Sequence, residues 1–332
     1  MYLSTSGQRQ RGNAAGKLLT IVLVIGLLGL GAWLVSKDML EEGTGSVLSG
    51  LPASLGGSTG PEPIEPVSGT PTLQSAAPYE MKNNIIDVDM SEYAGYGGLI
   101  VANGGLAPNP DSFFAKQYGF QLRLSKGESE EWSALNNGQM AAVATTADVL
   151  AVLGRQFEVT VPAQIAFSRG ADQVVVDSSI ASVNQLKGKV LAATQFNESE
   201  FFIRYLASEA GVAVKVLRDL EARPGPNELG LVFYEDAFIA CDAYVAELAG
   251  KQRLNGCVGW SPRTDQAVAE SAGAAKMLVS NRNLLVVADI LVVNKGFANA
   301  HPQIVKGLVH GLLEGNRLLR DDPRTHAGVV AQ

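Results

Sequence analysis

From Tyr79 onward, short apolar runs alternate with segments whose apolar residues recur every three or four positions. Runs at 85–89, 120–124, 141–144 and 161–167 read as strands, with helices near 99–102 and 130–137 and another opened by Thr145-Thr146-Ala147-Asp148. A second series has strands at 173–176, 190–193, 214–217 and 229–233. Its helices are one opened by Thr194-Gln195-Phe196-Asn197-Glu198-Ser199 and ending by Gly211, and one over 237–249. In the last third, a strand from Gly256 runs out into Trp260-Ser261-Pro262, where proline cannot continue a ladder. The apolar stretch Leu284 to Val293 reads as a strand interrupted by one carboxylate, Asp289. His301-Pro302 then breaks the chain ahead of an amphipathic helix, Ile304 to Leu319, and a further helix begins near Asp322. The alternation predicts an α/β protein with parallel sheets covered by helices.

The start of the chain follows other rules. Leu18 to Val35 holds no charged residue, near the lower limit for a helix crossing the hydrocarbon core. Arg9, Arg11 and Lys17 precede it, whereas beyond it Lys37 is followed by Asp38, Glu41 and Glu42. The positive-inside rule therefore puts 1–17 in the cytoplasm, makes 18–36 a single-pass signal anchor in the cytoplasmic (inner) membrane, and leaves the remainder outside. A cleaved signal peptide would need a small-x-small site, which Trp33-Leu34-Val35-Ser36-Lys37-Asp38 does not offer, and no lipobox cysteine follows. Residues 37–79 are rich in Gly, Ser, Thr and Pro and read as a disordered, flexible linker with a stiffer acidic insert, Pro61-Glu62-Pro63-Ile64-Glu65-Pro66.

Composition narrows the function. The formal charge of −7, with no clustered Lys or Arg, argues against nucleic acid. The histidines His301, His310 and His326 have no cysteine or carboxylate at ligand spacing, so no metal site is expected. Cys241 and Cys257 either pair in an oxidising compartment or serve as small buried hydrophobes. Neither a G-x-G-x-x-G after the first strand nor a P-loop lysine occurs, and neither a cofactor nor a catalytic residue is expected.

Several motifs resemble those of the substrate-binding proteins of bacterial ABC importers, of the sulfonate, nitrate, taurine and thiamine-precursor type. They are the opening Ser91 to Ala102 with Tyr93 in place of a usual Trp, and Leu135 to Ala144 with Ala141 where Asp is common. The turn Ser182 to Lys189, the run Gly256 to Pro262, the run Asp289 to Val293 and His301-Pro302 complete the set. The resemblance spans about 85–330 and implies a two-lobed periplasmic-binding-protein-like (type II) fold. It assigns 80–170 to a first lobe, 171–275 to a second and 276–332 to a return into the first. Because such proteins continue with further helices, this return is expected to be incomplete.

Ligands of such folds lie between the lobes, at the carboxyl ends of parallel strands. Ser91 opens the first family motif at such an end. Thr145, Thr146 and Asp148 at one helix start, and Thr194, Gln195 and Asn197 at another, offer hydroxyls and free N–H groups to an anion, or serve simply as caps. Arg169 and Arg204 are candidate neutralising charges, and Tyr93, Tyr96 and Trp260 candidate flat walls. Asp289 costs energy in an apolar strand unless paired, so it is expected at the cleft or hinge, touching an amino part of the ligand or making a structural hydrogen bond. The expected function is capture of a small, anionic solute for an ABC permease. A ligand sensor or envelope-linking protein is the alternative. A thiamine-pyrimidine-synthase-like enzyme would need a cofactor lysine and a cysteine-rich motif, which two distant cysteines do not supply.

Overall fold

The computed structural model describes residues 60–331 apart from 92 and 128–131. The expected membrane anchor at 18–36 lies outside them, as does the first part of the expected linker. No helix among the described residues is long and apolar enough to cross a membrane.

Among the described residues, eleven strands form two sheets. The first contains β1 (Ile85–Met90), β2 (Gln121–Lys126), β3 (Ala142–Thr146), β4 (Val159–Phe167) and β11 (Ala288–Asn294), in the order β2-β1-β3-β11-β4. The second contains β5 (Asp172–Asp177), β6 (Val190–Thr194), β7 (Ala213–Val216), β8 (Glu228–Tyr234), β9 (Gly256–Trp260) and β10 (Ala275–Ser280), in the order β10-β5-β9-β6-β8-β7. The central strands are parallel, as the alternation predicts: β1 with β2 and β3, and β6 with β8 and β9. The all-parallel expectation needs correction, however. β11 runs antiparallel to β3 and β4, and β5 antiparallel to β9 and β10. These are the strands flanking the two crossings between sheets, and a chain arriving from the other sheet enters from the opposite end.

Three elements escape the hydrophobic pattern. Helix Phe113–Tyr118 is only six residues long and is set by its cap, Ser112, whose hydroxyl accepts from the Ala115 N–H at 3.0 Å. Helix Arg263–Glu270 buries only Thr264 and Ala267, so it carries no apolar stripe. Strand β10 has one buried residue, Ala275. The expected strand at 284–293 begins only at Ala288, because 281–287 forms a crossing. The expected helix start at Thr145-Thr146 is also wrong. Both are β3 residues paired with Ile290 and Asp289, as suits β-branched side chains. The helix begins at Asp148, and its N-cap Ala147 has no side-chain bond to give.

Helix 302–321 covers the first sheet, placing Leu308 and Leu312 against Val88, Leu122 and Leu291. Its glycines 307, 311 and 315 form a ridge facing, in turn, the Tyr118 ring, the Phe114 ring and the Gly98 backbone. The second sheet is covered on both faces, by Phe202 and Ile203 from helix 198–209 and by Ala240 and Tyr244 from helix 237–249. Cys241 and Cys257 are disulfide-bonded (S–S 2.11 Å), tying helix 237–249 to β9 and settling the open alternative.

The described second half of the expected linker, 60–79, lies along the folded part as a strap. On the second-sheet side the Ile64 N–H donates to the Phe233 carbonyl at 2.9 Å, and both ends of the Gln195 amide pair with the Val67 backbone at 2.9 and 3.0 Å. On the first-sheet side the Gln156 amide pairs with Leu73 N–H and Pro71 carbonyl at 2.9 and 2.8 Å, and Asn294 holds Tyr79 N–H and Ala77 carbonyl. Side-chain amides thus stand in for a neighbouring strand, which a composition-based reading does not register.

Candidate functional site: a cleft lined with carboxylates

Two segments cross between the sheets, 168–171 and 281–287, and are laced together. Ser168 N–H donates to the Val287 carbonyl at 2.9 Å. Asn281 donates to the Ser168 carbonyl at 3.0 Å and to Asp172 at 2.5 Å, and accepts from Gly170 N–H at 2.5 Å. These crossings are the two connections between the sheets, and beside them lie the ends of β1, β3, β6 and β9.

Two joined chambers occupy this cleft. The inner one, about 20 Å³, is lined by Ser91, Tyr93, Tyr96 and Thr146, by Asp289, and by Ser168, Ala171, Asp172, Glu198, Trp260 and Val287. The outer one, about 370 Å³, shares Ser91, Glu198 and Trp260 with it, and adds Thr194 to Asn197, Glu235 and Asp236, Trp132 and the strap residues Pro71 to Leu73. Thr146 Oγ lies 3.5 Å from a Glu198 carboxylate oxygen, linking the two sheets across the gap.

Asp289 is the centre of the inner chamber. It is 1% exposed; its Oδ1 accepts from the Tyr96 hydroxyl at 3.2 Å, and its Oδ2 has no donor. Burial, with repulsion from Asp172 and Asp148 and against the Tyr96 bond, lifts its carboxyl to about 6. Burial also raises Asp172, although Ser168 and Asn281 donate to it, and raises Asp148. Tyr93 packs edge-on against Tyr96 with ring centroids 5.4 Å apart. Because the folded state holds the Asp289 proton more tightly than the unfolded chain does, this group removes stability as pH rises from about 4 to about 6. Asp289→Asn is therefore expected to gain stability over the parent in unliganded protein as pH rises across that window, as denaturation at pH 4 and 7 would measure.

The remaining expected site residues divide. Thr194 lines the outer chamber with an unpartnered buried hydroxyl. Asn197 also lines it, but as the N-cap of helix 198–209 it accepts from Ser199 and Glu200 N–H. Gln195 reaches the outer chamber, yet both ends of its amide are taken by the strap. Thr145 is fully buried and lines neither chamber, and Asp148 lines neither but acts on Asp289 through its charge. Ser168, Asp172 and Glu198 were not anticipated as site residues. Asp172 carries a fainter form of the Asp289 signal, a carboxylate near the apolar run Val174 to Val176, which Asp177 also bounds.

The expected anion finds no basic side chain at either chamber: among the described residues neither is lined by Lys, Arg or His. Arg169 is exposed off the chambers, and Arg204 is paired with Glu200 at 2.7 Å. The second helix start is already occupied by its own side chains: Asn197 takes two N–H groups, and Glu200 takes that of Phe196 at 2.7 Å.

No family model matches the chain, and no curated protein matches it. Solved structures do. The alkanesulfonate-binding protein SsuA from Xanthomonas axonopodis pv. citri bound to MOPS is similar over 76% of this chain and 80% of its own, with 14% identity and a TM-score of 0.56. The periplasmic aliphatic sulphonate binding protein SsuA from Escherichia coli is similar over 75% and 78%, at 14% identity and 0.56. The ligand binding component of an ABC-type import system from Staphylococcus aureus follows over 74% and 78%, at 12% identity and 0.52. Two mixed sheets, a double crossing and a cleft between them are thus the periplasmic-binding-protein-like fold, and this chain has it.

Proposed function

We propose that this protein is a membrane-tethered, extracytoplasmic solute-binding protein that captures a small molecule between its two lobes for an ABC-type importer. The observation that carries the reading is the inner chamber, built from both sheets around the two crossings, with a buried carboxylate whose second oxygen is unpaired. The fold supports it, since its solved examples include sulfonate-binding proteins and an import-system component. The uncharged run 18–35, with net positive charge before it and net negative charge after it, supports the tether. The acidic lining turns the ligand expectation from an anion to a cation. A synthase role has no support, because neither chamber is lined by a lysine or cysteine among the described residues.

Trp132 and Trp260 both line the outer chamber, so occupancy is readable in intrinsic fluorescence. A pool of amines, amino acids, sulfonates and sugars added to the full chain is expected to contain a solute that shifts this fluorescence and raises the melting temperature with concentration. The Trp260→Phe variant is expected to lose most of the optical response. If no solute class stabilises the protein, the binding function is wrong.

A further inference from the structure

We infer that the group seated in the inner chamber is a primary ammonium, R–NH₃⁺, held by Asp289, with its carbon body in the outer chamber. This rests on the cleft being a solute site and concerns which chemistry the site selects. A buried carboxylate oxygen without a donor is a costly arrangement, and Asp289 Oδ2 is one. The charged groups around it are Asp172 from β5, Glu198 from helix 198–209 and Asp148 from helix 148–153. All are acidic, so an entering anion would be repelled from three elements at once, whereas a cation relieves that repulsion. The Ser168 hydroxyl and Asn281 amide are already committed to Asp172 and do not offset it.

Size and donor count then separate the cations. The inner chamber, about 20 Å³, has room for one water-sized group. An –NH₃⁺ is of that size and brings three N–H donors. A trimethylammonium is larger and brings none, so it leaves Oδ2 unpaired. A guanidinium is a wide planar fork. The faces of Tyr93, Tyr96 and Trp260 favour positive charge of any of these kinds, and so do not discriminate among them. Through the shared residues Ser91, Glu198 and Trp260, the body of the ligand passes into the outer chamber of about 370 Å³.

Because the Asp289 carboxyl lies at about 6, an arriving ammonium displaces a proton near that pH, and affinity falls as pH drops below it. The test is calorimetry on the full chain with butylammonium, butyltrimethylammonium, butylguanidinium, butane-1-sulfonate, and potassium and calcium chlorides. Butylammonium is expected to bind at least tenfold tighter than any other probe, with proton release at pH 6 seen as a buffer-dependent heat. Asp289→Asn is expected to lose at least tenfold of that affinity while melting no earlier than the parent at pH 7. Should that variant misfold, the proton release by the unaltered chain decides by itself. Tighter binding of the sulfonate, the quaternary or guanidinium probe, or the inorganic cations would overturn the ammonium assignment and leave the solute site standing. Binding of none of them, with no response to the mixed pool either, would overturn both.

Discussion

Gly315→Leu is expected to cost roughly 3 kcal/mol or more of stability, the upper end of overpacking losses. A side chain at this position points into the backbone of Gly98, whose carbonyl oxygen is the first atom a Cβ would meet. Backbone cannot swing aside as a flexible side chain can, so helix 302–321 would have to lift off helix 97–103 and the first sheet's core with it. The gain in helix propensity on replacing glycine, about 1 kcal/mol, is too small to compensate. Gly328 is the control. It lies in helix 323–330 with nothing near its absent Cβ, so Gly328→Ala keeps only the propensity gain and is expected to be neutral or slightly stabilising. Denaturant unfolding should show a large loss for Gly315→Leu and no loss for Gly328→Ala. Equal, small shifts would mean that the two helices are not packed glycine to glycine.

Removing the Cys241–Cys257 bond is expected to cost about 3 kcal/mol, the loop-closure value for a ring of this length, given a sequence separation of 16 residues. Both cysteines are fully buried, so alanine replacements add a modest packing loss but no unsatisfied polar group. The bond joins helix 237–249 to β9, whose last residue is Trp260. Loss of stability should therefore be accompanied by a weaker tryptophan response to ligand. An unchanged unfolding midpoint for the reduced chain would show that packing alone holds this helix.

Much of the fold was legible because it rests on periodicity. Helix 237–249 and the strands around 190, 229 and 256 stand where their apolar residues put them, since buried elements need continuous apolar faces. Elements held by other means were not legible: helix 263–270 by its preceding turn, the strap by the amides of Gln156, Gln195 and Asn294. Within the site, Asp289 was visible as a carboxylate in an apolar run. Asp172 gave the same signal more faintly, and Glu198 gave none, being an ordinary first-turn helix acid until the fold brings it opposite Thr146. The proposed cation departs from the anion that the sequence suggests, and for a physical reason. Hydroxyls near helix starts suggest anion binding only while the N–H groups are free, and here Asn197 and Glu200, within four residues of those groups, already take them.

The strap sets a limit on how far the cleft can gape. Val67 is clasped by Gln195 on one side of the mouth, and Pro71 by Gln156 on the other, leaving only residues 68–70 between. Four extended peptide units reach roughly 14 Å at most. Any wider yawning of the jaws must tear one amide clasp free, so the strap acts as a short chain across a door. Solutes of the proposed site would then enter through a slot of bounded width, and molecules broader than that slot would be excluded before chemistry had any say.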